Sequence, residues 1–250
     1  IFTCAGPIMW AIKGNFYYIK DKEVEALPQL FLRYYKAYGG EISFNTLVKK
    51  IVIGEGKARA VQIEGGEEIQ SRYVISNGDC HSTFQHLIGN HLLPDRFVRK
   101  LQKKEISAPI FTLYLGVDLD LAQMGFDGAL VHYYTRISKN PWEGKDEKGF
   151  DIEKEKMAIR MDSIKNPKLA PIGKHTVAIA AFAPYELFTD GGNTSPHYTE
   201  IKEEIAQKII GVTEKVIPGL SSHIIVRDAS TPLTYERKTL NTHGATMGWF

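Results

Sequence analysis

The side chains of this sequence that could bind a metal or act as nucleophiles are eight histidines and two cysteines. His81, His86 and His91 recur at intervals of five residues, whereas paired ligands on a helix share one face at intervals of four. We therefore interpret the histidines as surface residues and predict no metal site. Cys4 and Cys80 lie far apart and outside any Cys-x-x-Cys spacing. This favours free thiols in a reducing, cytoplasmic setting over a disulfide.

Two pairs of charged residues are further candidates. Asp118 and Asp120 could act as paired carboxylates, but their alternation with apolar residues more simply places both on the solvent face of a strand end. Glu236 and Arg237 leave two interpretations open, an ion pair that shapes a buried turn or an arginine that binds a substrate. Neither pair stands out as a general acid and base, so we assign no catalytic residue.

The composition is that of an ordinary protein with a hydrophobic core. The 250 residues are 43% hydrophobic and 24% charged. A formal net charge of +2 gives no electrostatic reason to expect nucleic acid as a partner. No apolar run approaches the roughly 18–20 residues that a membrane-spanning helix needs. The sequence does not indicate an oligomeric state.

The first part of the chain predicts a helix followed by short strands. Apolar residues at helical spacing run through residues 25–38, and Gly39 ends the pattern. Ligands of α/β sheets bind beyond the carboxyl ends of strands, so the end of the last apolar strand, at residues 77–79, is a candidate site. Glycine turns between apolar segments predict an antiparallel meander with strands at residues 41–45, 48–53, 58–64, 68–71 and 73–76.

The rest of the chain alternates between predicted helices and strands. Residues 79–104 predict a charged helical segment that Pro94 interrupts, and residues 140–156 predict a loop. A helix is predicted over residues 198–217, with Thr199 as its cap. This order indicates two domains, with the chain crossing between them. Further strands are predicted at residues 109–117, 157–161, 175–184 and 223–228.

Several blocks of sequence together suggest a family. They are Tyr38 to Ile51, Gly56 to Val61, Tyr73 to Asp79, Asn166 to His175, Ile217 to Leu220, and Thr231 to Arg237 followed by Gly244, Ala245 and Gly248. In this order they resemble the middle of the phytoene desaturase and carotenoid isomerase family, which are FAD-dependent oxidoreductases related to amine oxidases. The resemblance implies a mixed α+β and α/β fold. A flavin-domain portion with an antiparallel β-meander is joined to an inserted mixed-sheet substrate domain with flanking helices.

The resemblance also implies domain boundaries. Residues 21–90 would form the second portion of a discontinuous FAD-binding domain, and residues 1–20 and 91–230 the substrate-binding domain. Residues 231–250 would be a strand and turn that return toward the FAD domain. The family's glycine fingerprint would precede Ile1 and its last flavin-contacting segment would follow Phe250. The chain is thus expected to be an internal fragment that alone is inactive and binds flavin weakly or not at all. Tyr235 to Phe250 would be the segment whose partners are missing and whose packing is least native.

The resemblance suggests four cofactor-binding residues. In the family, the position of Val48 contacts the adenine through its backbone, although a plain strand residue is an equal interpretation. Ser76, Asn77 and Gly78 match a block that ends a strand near the dinucleotide, with Gly78 in place of the usual alanine. Residues 19–23 depart from the family, because Ile-Lys-Asp-Lys-Glu replaces a Pro-x-Gly-Gly run. Asp21 to Glu23 would then indicate an altered substrate, a displaced flavin or an inactive relative.

The function that the resemblance implies is an FAD-dependent oxidoreductase of the carotenoid desaturase or isomerase type. Its substrate would be a long apolar polyene or lipid, and access to such a molecule suggests peripheral contact with a membrane. The alternative is a non-catalytic protein of the same fold that binds a lipid or a lipidated partner, as Rab escort and GDP-dissociation inhibitor proteins do. The substrate, the direction of the reaction and the electron acceptor are not predicted.

Overall fold

The computed structural model describes residues 26–135 and 150–248. The chain divides into two compact units, residues 1–45 and residues 46–250. In the first unit, helix α1 spans Ala26–Ala37, which confirms the predicted helix. Gly39, with φ of +81°, follows it in the left-handed conformation that glycine adopts without strain. The strand predicted over residues 41–45 is wrong, because the backbone bends there and Asn45 takes φ of +53°.

The second unit begins with a three-stranded antiparallel sheet of order β1-β2-β3. Its strands are β1 Val48–Gly54, β2 Lys57–Ile63 and β3 Glu68–Gln70, which confirms three predicted strands. Glu55 and Gly56 join β1 to β2 with φ of +53° and +73°, the geometry that matches the twist of a tight hairpin.

The strand predicted over residues 73–76 is wrong. These residues are irregular, and within the described ranges no strand pairs with them. Tyr73 and Ile75 are therefore 83% and 94% exposed. The segment is apolar, as a strand would be, but a strand also needs a neighbouring strand with which its backbone can form hydrogen bonds.

A helical segment follows the meander. It consists of a π-helix at Ser82–Gly89, a 3-10 turn at Asn90–Leu92 and helix α2 at Asp95–Gln102. Pro94 lies immediately before α2, so the predicted helical segment and its interruption by proline are both confirmed. Phe84 of the π-helix packs edge-to-face against Phe97 of α2, with ring centroids 4.8 Å apart.

A five-stranded sheet of order β10-β4-β7-β6-β5 is the centre of the second unit. All of its pairings are antiparallel. The helices and antiparallel sheets confirm the broad fold class, but within residues 26–135 and 150–248 this sheet is purely antiparallel and not the mixed sheet expected from the resemblance. Strand direction depends on how each connection returns the chain, which apolar periodicity does not record. The strands are β4 Ile110–Val117, β5 Val131–Tyr133, β6 Met157–Arg160, β7 His175–Phe182 and β10 Ile224–Ser230.

One face of this sheet is buried beneath helix α4, Tyr198–Thr213. Alternate residues of β4 and β7 project to that face, and Leu113 lies opposite Ile179 in the register. The residue that precedes α4 is His197 and not the predicted Thr199, and α4 ends four residues before the predicted position 217.

No helix in the described ranges combines the length and hydropathy needed to cross a bilayer. The shared core comprises Phe111, Leu113, Leu115, Val177, Ile179, Met157, Ile159, Ile205, Ile209 and Val212, with other buried residues around them.

Short elements connect these parts. Of the loop predicted at residues 140–156, the part up to residue 149 lies outside the described residues, and a 3-10 turn follows it. The elements are 3-10 turns at Ile152–Lys154, Pro167–Leu169, Tyr185–Phe188 and Leu220–His223, helix α3 at Asp162–Lys165, and the hairpin strands β8 Thr189–Asp190 and β9 Asn193–Thr194.

The return segment begins with a helix where a strand was predicted, and a 3-10 turn follows at Thr242–Gly244. Helix α5 spans Pro232–Thr239, and Thr231 and Thr234 cap its start by exchanging side-chain-to-backbone hydrogen bonds. The expectation that Tyr235 to Phe250 packs least natively stays a prediction, although the segment does contact the rest of the second unit through residue 248. Residues 246–248 hydrogen-bond to Ser107 and Ala108, which precede β4.

Candidate functional site

A cavity of about 910 Å³ opens in the second unit, between the meander and helix α5. Its volume lies in the range of about 300–1,000 Å³ that is usual for cofactor and small-molecule sites. Its wall is more apolar than polar. Three stretches of sequence build it: β1 with β2, residues 74–87, and residues 233–240, joined by Thr194 and Tyr198.

Strands β1 and β2 supply an apolar wall. Val48, Ile51 and Val61 line the cavity, and Ile51 and Val61 lie opposite each other in the register of the two strands. Ile51 is buried and Val48 is half-buried. A flat or extended apolar molecule could therefore lie against this sheet without meeting a charge.

Residues 76–78 form a polar edge of the cavity. The hydroxyl groups of Ser76 and Thr83 are 2.7 Å apart, and the backbone N–H of Gly78 donates to the Ser76 Oγ at 3.4 Å. Ser76, Asn77 and Gly78 are exposed and line the cavity. This edge presents hydroxyl, amide and backbone groups that could hydrogen-bond to a bound molecule.

Asp79 is buried directly behind this edge, with 8% of its surface exposed. Its carboxylate accepts hydrogen bonds from the backbone N–H of Ser82 at 2.8 Å and from the Thr242 hydroxyl at 2.8 Å. Burial alone raises the pKa of Asp79, but the hydrogen bonds from Ser82 and Thr242 outweigh burial and hold the pKa below its ordinary value. Asp79 is thus a charged structural link between the start of the π-helix and the return segment.

The π-helix continues the wall beyond Asp79. Ser82, Thr83, His86 and Leu87 line the cavity. Long π-helical segments are rare, and π-helical turns occur frequently at functional sites because they change which side chains face one side. Here the π-helix places the side chains of Ser82, Thr83 and Leu87 in the cavity wall, together with the imidazole of His86.

Helix α5 supplies the opposite wall. Leu233, Thr234, Glu236 and Arg237 line the cavity. The Glu236 carboxylate accepts a hydrogen bond from the Tyr185 hydroxyl at 2.6 Å and another from the backbone N–H of His243 at 3.0 Å. The rings of Tyr185 and His243 stack with centroids 4.5 Å apart. Burial and the bond to Glu236 raise the pKa of Tyr185 above its ordinary value, so Tyr185 remains a neutral donor.

The sequence left two interpretations open for Glu236 and Arg237, an ion pair that shapes a buried turn or an arginine that binds a substrate. These contacts bear on that choice. Both residues lie in the described part of the chain, and no ion pair there joins them. Glu236 is instead held by Tyr185 and His243, while Arg237 is exposed on the cavity side of α5.

The four residues that the sequence singled out for a cofactor line this one cavity. Val48 comes from β1, whereas Ser76, Asn77 and Gly78 come from a segment 28 or more positions later, and the fold brings them together. Contact with a dinucleotide stays a prediction. Cys4 and Asp21 to Glu23 lie outside the described residues, and Cys80 is a free thiol.

The other chemical candidates do not form a site. Asp118 lies at the surface, where it contacts His223 Nδ1 at 2.9 Å, in line with its predicted solvent position. In the ranges 26–135 and 150–248, no three His, Cys, Asp or Glu side chains come together as metal ligands would.

Several lining residues could not be chosen from the sequence. Thr83, Leu87, Leu233 and Leu240 belong to segments with no recognisable binding motif. One signal was available: Thr231 followed by proline and then Thr234 is a helix-start pattern. It would have placed α5, and with it Glu236 and Arg237, on a helix beside the cavity.

The relatives of this chain are oxidoreductases and carotenoid enzymes by name. It is 29% identical over 201 residues to a chloroplastic prolycopene isomerase from Daucus carota. The aligned region covers 80% of this chain and 31% of that protein. It is 27% identical over 229 residues to a neurosporene-forming phytoene desaturase from Rhodobacter capsulatus. Here the aligned region covers 89% of this chain and 42% of that protein. The resemblance to the phytoene desaturase and carotenoid isomerase family is therefore confirmed.

Solved structures agree at the level of the fold. An oxidoreductase from Methanosarcina mazei superposes on 83% of this chain with a TM-score of 0.55 and 18% identity. The chain spans only about a third to two-fifths of the length of these proteins, as 31%, 42% and 42% of the three are covered. No protein-family profile matches the chain.

Proposed function

We propose that this chain is part of an FAD-dependent oxidoreductase of the carotenoid desaturase or isomerase type. The proposal rests on one observation: Val48 and residues 76–78, which lie in two separate blocks that resemble that family, line a single cavity of about 910 Å³. The names of the relatives support redox or isomerase chemistry on an apolar polyene. An apolar small molecule is accordingly the proposed substrate.

The residues of the cavity fit the dinucleotide part of such a cofactor. The apolar wall at Val48, Ile51 and Val61 suits a flat ring, and the edge at Ser76 to Gly78 offers hydrogen-bonding groups. Glycine in place of the family's alanine at position 78 is compatible with this fit. A Cβ there would meet the Ser76 Oγ at 3.6 Å and the Thr83 Oγ1 at 3.8 Å, both ordinary contacts.

When bound, the flavin would supply the hydride chemistry. The chain's own contribution is to bind and to exclude water. Val48, Ile51, Val61 and Leu87 offer apolar surface that a bound molecule would cover. Asp79 and Glu236 already accept hydrogen bonds from protein donors, so we assign them to positioning and leave the catalytic residue unassigned.

We also propose the domain division that the resemblance implies, with residues 21–90 in an FAD-binding domain and residues 1–20 and 91–230 in a substrate-binding domain. In support of this division, the cavity is lined by residues 47–87 of the first domain and by Thr194 and Tyr198 of the second, together with α5 of the return segment. A cavity at such a boundary is a usual place for a ligand.

The alternative of a non-catalytic lipid-binding protein is not favoured, because the relatives are named for isomerase and desaturase activities. Peripheral membrane contact and cytoplasmic localisation remain predictions.

Flavin content tests the proposal directly. We would purify the whole protein that carries this chain, record its visible absorbance, and measure the flavin that heat releases per protein. We expect flavin bands that a reductant bleaches. A folded protein without flavin would contradict the proposal.

A pair of variants connects the flavin to this cavity. Gly78→Phe places a ring in the cavity and should lower the flavin content at least about tenfold, because a bulky group cannot share the space with a ligand. Gly78→Ala is the matched control and should retain flavin, because its Cβ meets only ordinary contacts. Equal flavin content in both variants would place the cofactor elsewhere.

A further inference from the structure

The cavity is lined by a cationic side chain that forms no ion pair with any carboxylate of the described residues. Its lining includes two carboxylates, Asp79 and Glu236, and the guanidinium of Arg237. Asp79 accepts hydrogen bonds from Ser82 and Thr242, and Glu236 accepts them from Tyr185 and His243. Both carboxylates are therefore already engaged by neutral donors of the protein.

Arg237 differs from these carboxylates in its contacts. It is exposed, it follows Glu236 on helix α5, and across residues 26–135 and 150–248 its side chain forms no ion pair or hydrogen bond. A molecule that filled the cavity would remove water from this guanidinium. An arginine that loses water is stabilised only by an acceptor, and its planar donors suit the paired oxygens of a phosphate or a carboxylate.

We propose that Arg237 binds an anionic oxygen group, phosphate or carboxylate, on a molecule whose apolar part lies in the cavity. The inference rests in part on the proposed function, since a dinucleotide would supply such a phosphate. A long-chain acid that occupies the same cavity as a substrate would supply a carboxylate. Either source places a negative group at the α5 wall of the cavity, opposite the apolar wall of β1 and β2.

Helix α5 offers a matched control. Lys238 is the next residue, is also exposed, and does not line the cavity. Arg237→Gln and Lys238→Gln each remove one positive charge from the same helix, so a general electrostatic effect would be the same in both.

The test measures four ligands by calorimetry on the whole protein that carries this chain, after any bound flavin has been quantified and removed by dialysis. The ligands are ADP and its uncharged counterpart adenosine, and dodecanoate and its uncharged counterpart dodecanol. If the dinucleotide is the source, Arg237→Gln weakens ADP roughly tenfold and leaves adenosine unchanged. If a substrate acid is the source, the same variant weakens dodecanoate and not dodecanol.

Two results would overturn the proposal: equal effects of Arg237→Gln and Lys238→Gln on every ligand, or wild-type protein that binds neither anion more tightly than its uncharged counterpart. The flavin measurement separates this proposal from the proposed function. If the protein contains flavin but Arg237→Gln weakens anion binding no more than Lys238→Gln does, only the role of Arg237 is refuted. Flavin-free protein whose dodecanoate binding depends on Arg237 refutes only the flavin function.

Discussion

Thr242 donates its hydroxyl hydrogen to the Asp79 Oδ1 at 2.8 Å, although 163 positions separate the two residues in the sequence. The backbone N–H of Thr242 also points to the carboxylate, at 3.3 Å from Oδ2. Through this contact the return segment is fixed to the segment at residues 76–79 that lines the cavity. The two walls of the cavity therefore depend on one buried carboxylate.

Replacing Asp79 should destabilise the protein markedly. Asp79→Asn removes the charge that Ser82 and Thr242 solvate, and hydrogen bonds to a buried charge contribute about 1.5–3 kcal/mol each. We expect the free energy of unfolding to fall by about 2–4 kcal/mol in urea titrations. Asp190→Asn, at an exposed carboxylate of β8, is the control and should change stability by less than about 0.5 kcal/mol. Equal stability of the two variants would show that the Asp79 link is not structural.

The same carboxylate predicts a pH dependence. The pKa of Asp79 lies below its ordinary value of 3.8 in the folded protein. A lowered pKa gives stability that is complete above the ordinary value and is lost as the pH falls through the folded value. Wild-type protein should therefore lose more stability than Asp79→Asn on acidification below about pH 4. Parallel acid-dependent losses in the two proteins would contradict this assignment.

Gly244 should tolerate no side chain. It takes φ of +67°, and a Cβ there would overlap the backbone carbonyl of Pro232 at the start of α5. Gly248 is the matched control, because it has φ of +78° and a Cβ added there would meet no atom within 4 Å. Gly248→Ala should cost about 1 kcal/mol of backbone strain, and Gly244→Ala at least about 2 kcal/mol more. Equal losses in thermal unfolding would show that strain alone, without the clash at Pro232, sets the cost.

The sequence could predict those elements whose stability is local. Helix α1 and strands β1 to β3 follow their apolar periodicity, and glycine turns follow α1, β1 and β2, as at Glu55 and Gly56. The apolar run at residues 73–76 shows where this reasoning fails. A strand exists only with a partner, and whether a partner is adjacent is a tertiary fact.

The candidate site was predictable only in part for a similar reason. Val48 and residues 76–78 could be chosen from their resemblance to a family, but nothing local indicates that they face the same cavity as Leu233 and Arg237. The Asp79–Thr242 contact that brings these walls together joins distant segments. Neither periodicity nor motif spacing records such a contact.

The hydrogen bond from Tyr185 to Glu236 should stabilise α5 up to alkaline pH. Tyr185→Phe removes a donor to a partly buried carboxylate and should cost about 1 kcal/mol in urea titrations near neutral pH. The pKa of Tyr185 is raised above 10.0, so its contribution is present below that pH and is lost as the pH rises through the folded value. The stability difference between wild type and Tyr185→Phe should therefore shrink above about pH 10. Tyr73→Phe, at an exposed ring, is the control and should show no difference at any pH.

Asparagine at position 55 should stabilise the turn between β1 and β2. Glu55 holds φ of +53°, a conformation that asparagine accepts more readily than glutamate. Glu55 also pairs with Arg59 at 2.8 Å, but an exposed ion pair contributes only about 0–1 kcal/mol. Glu55→Gln removes the charge and keeps the strained backbone, so it measures the ion pair alone. We expect Glu55→Asn to exceed Glu55→Gln in unfolding free energy by about 0.5–1 kcal/mol. Because both variants lack the ion pair, a value for Glu55→Asn no higher than that for Glu55→Gln would show that asparagine gains nothing from the left-handed backbone at position 55.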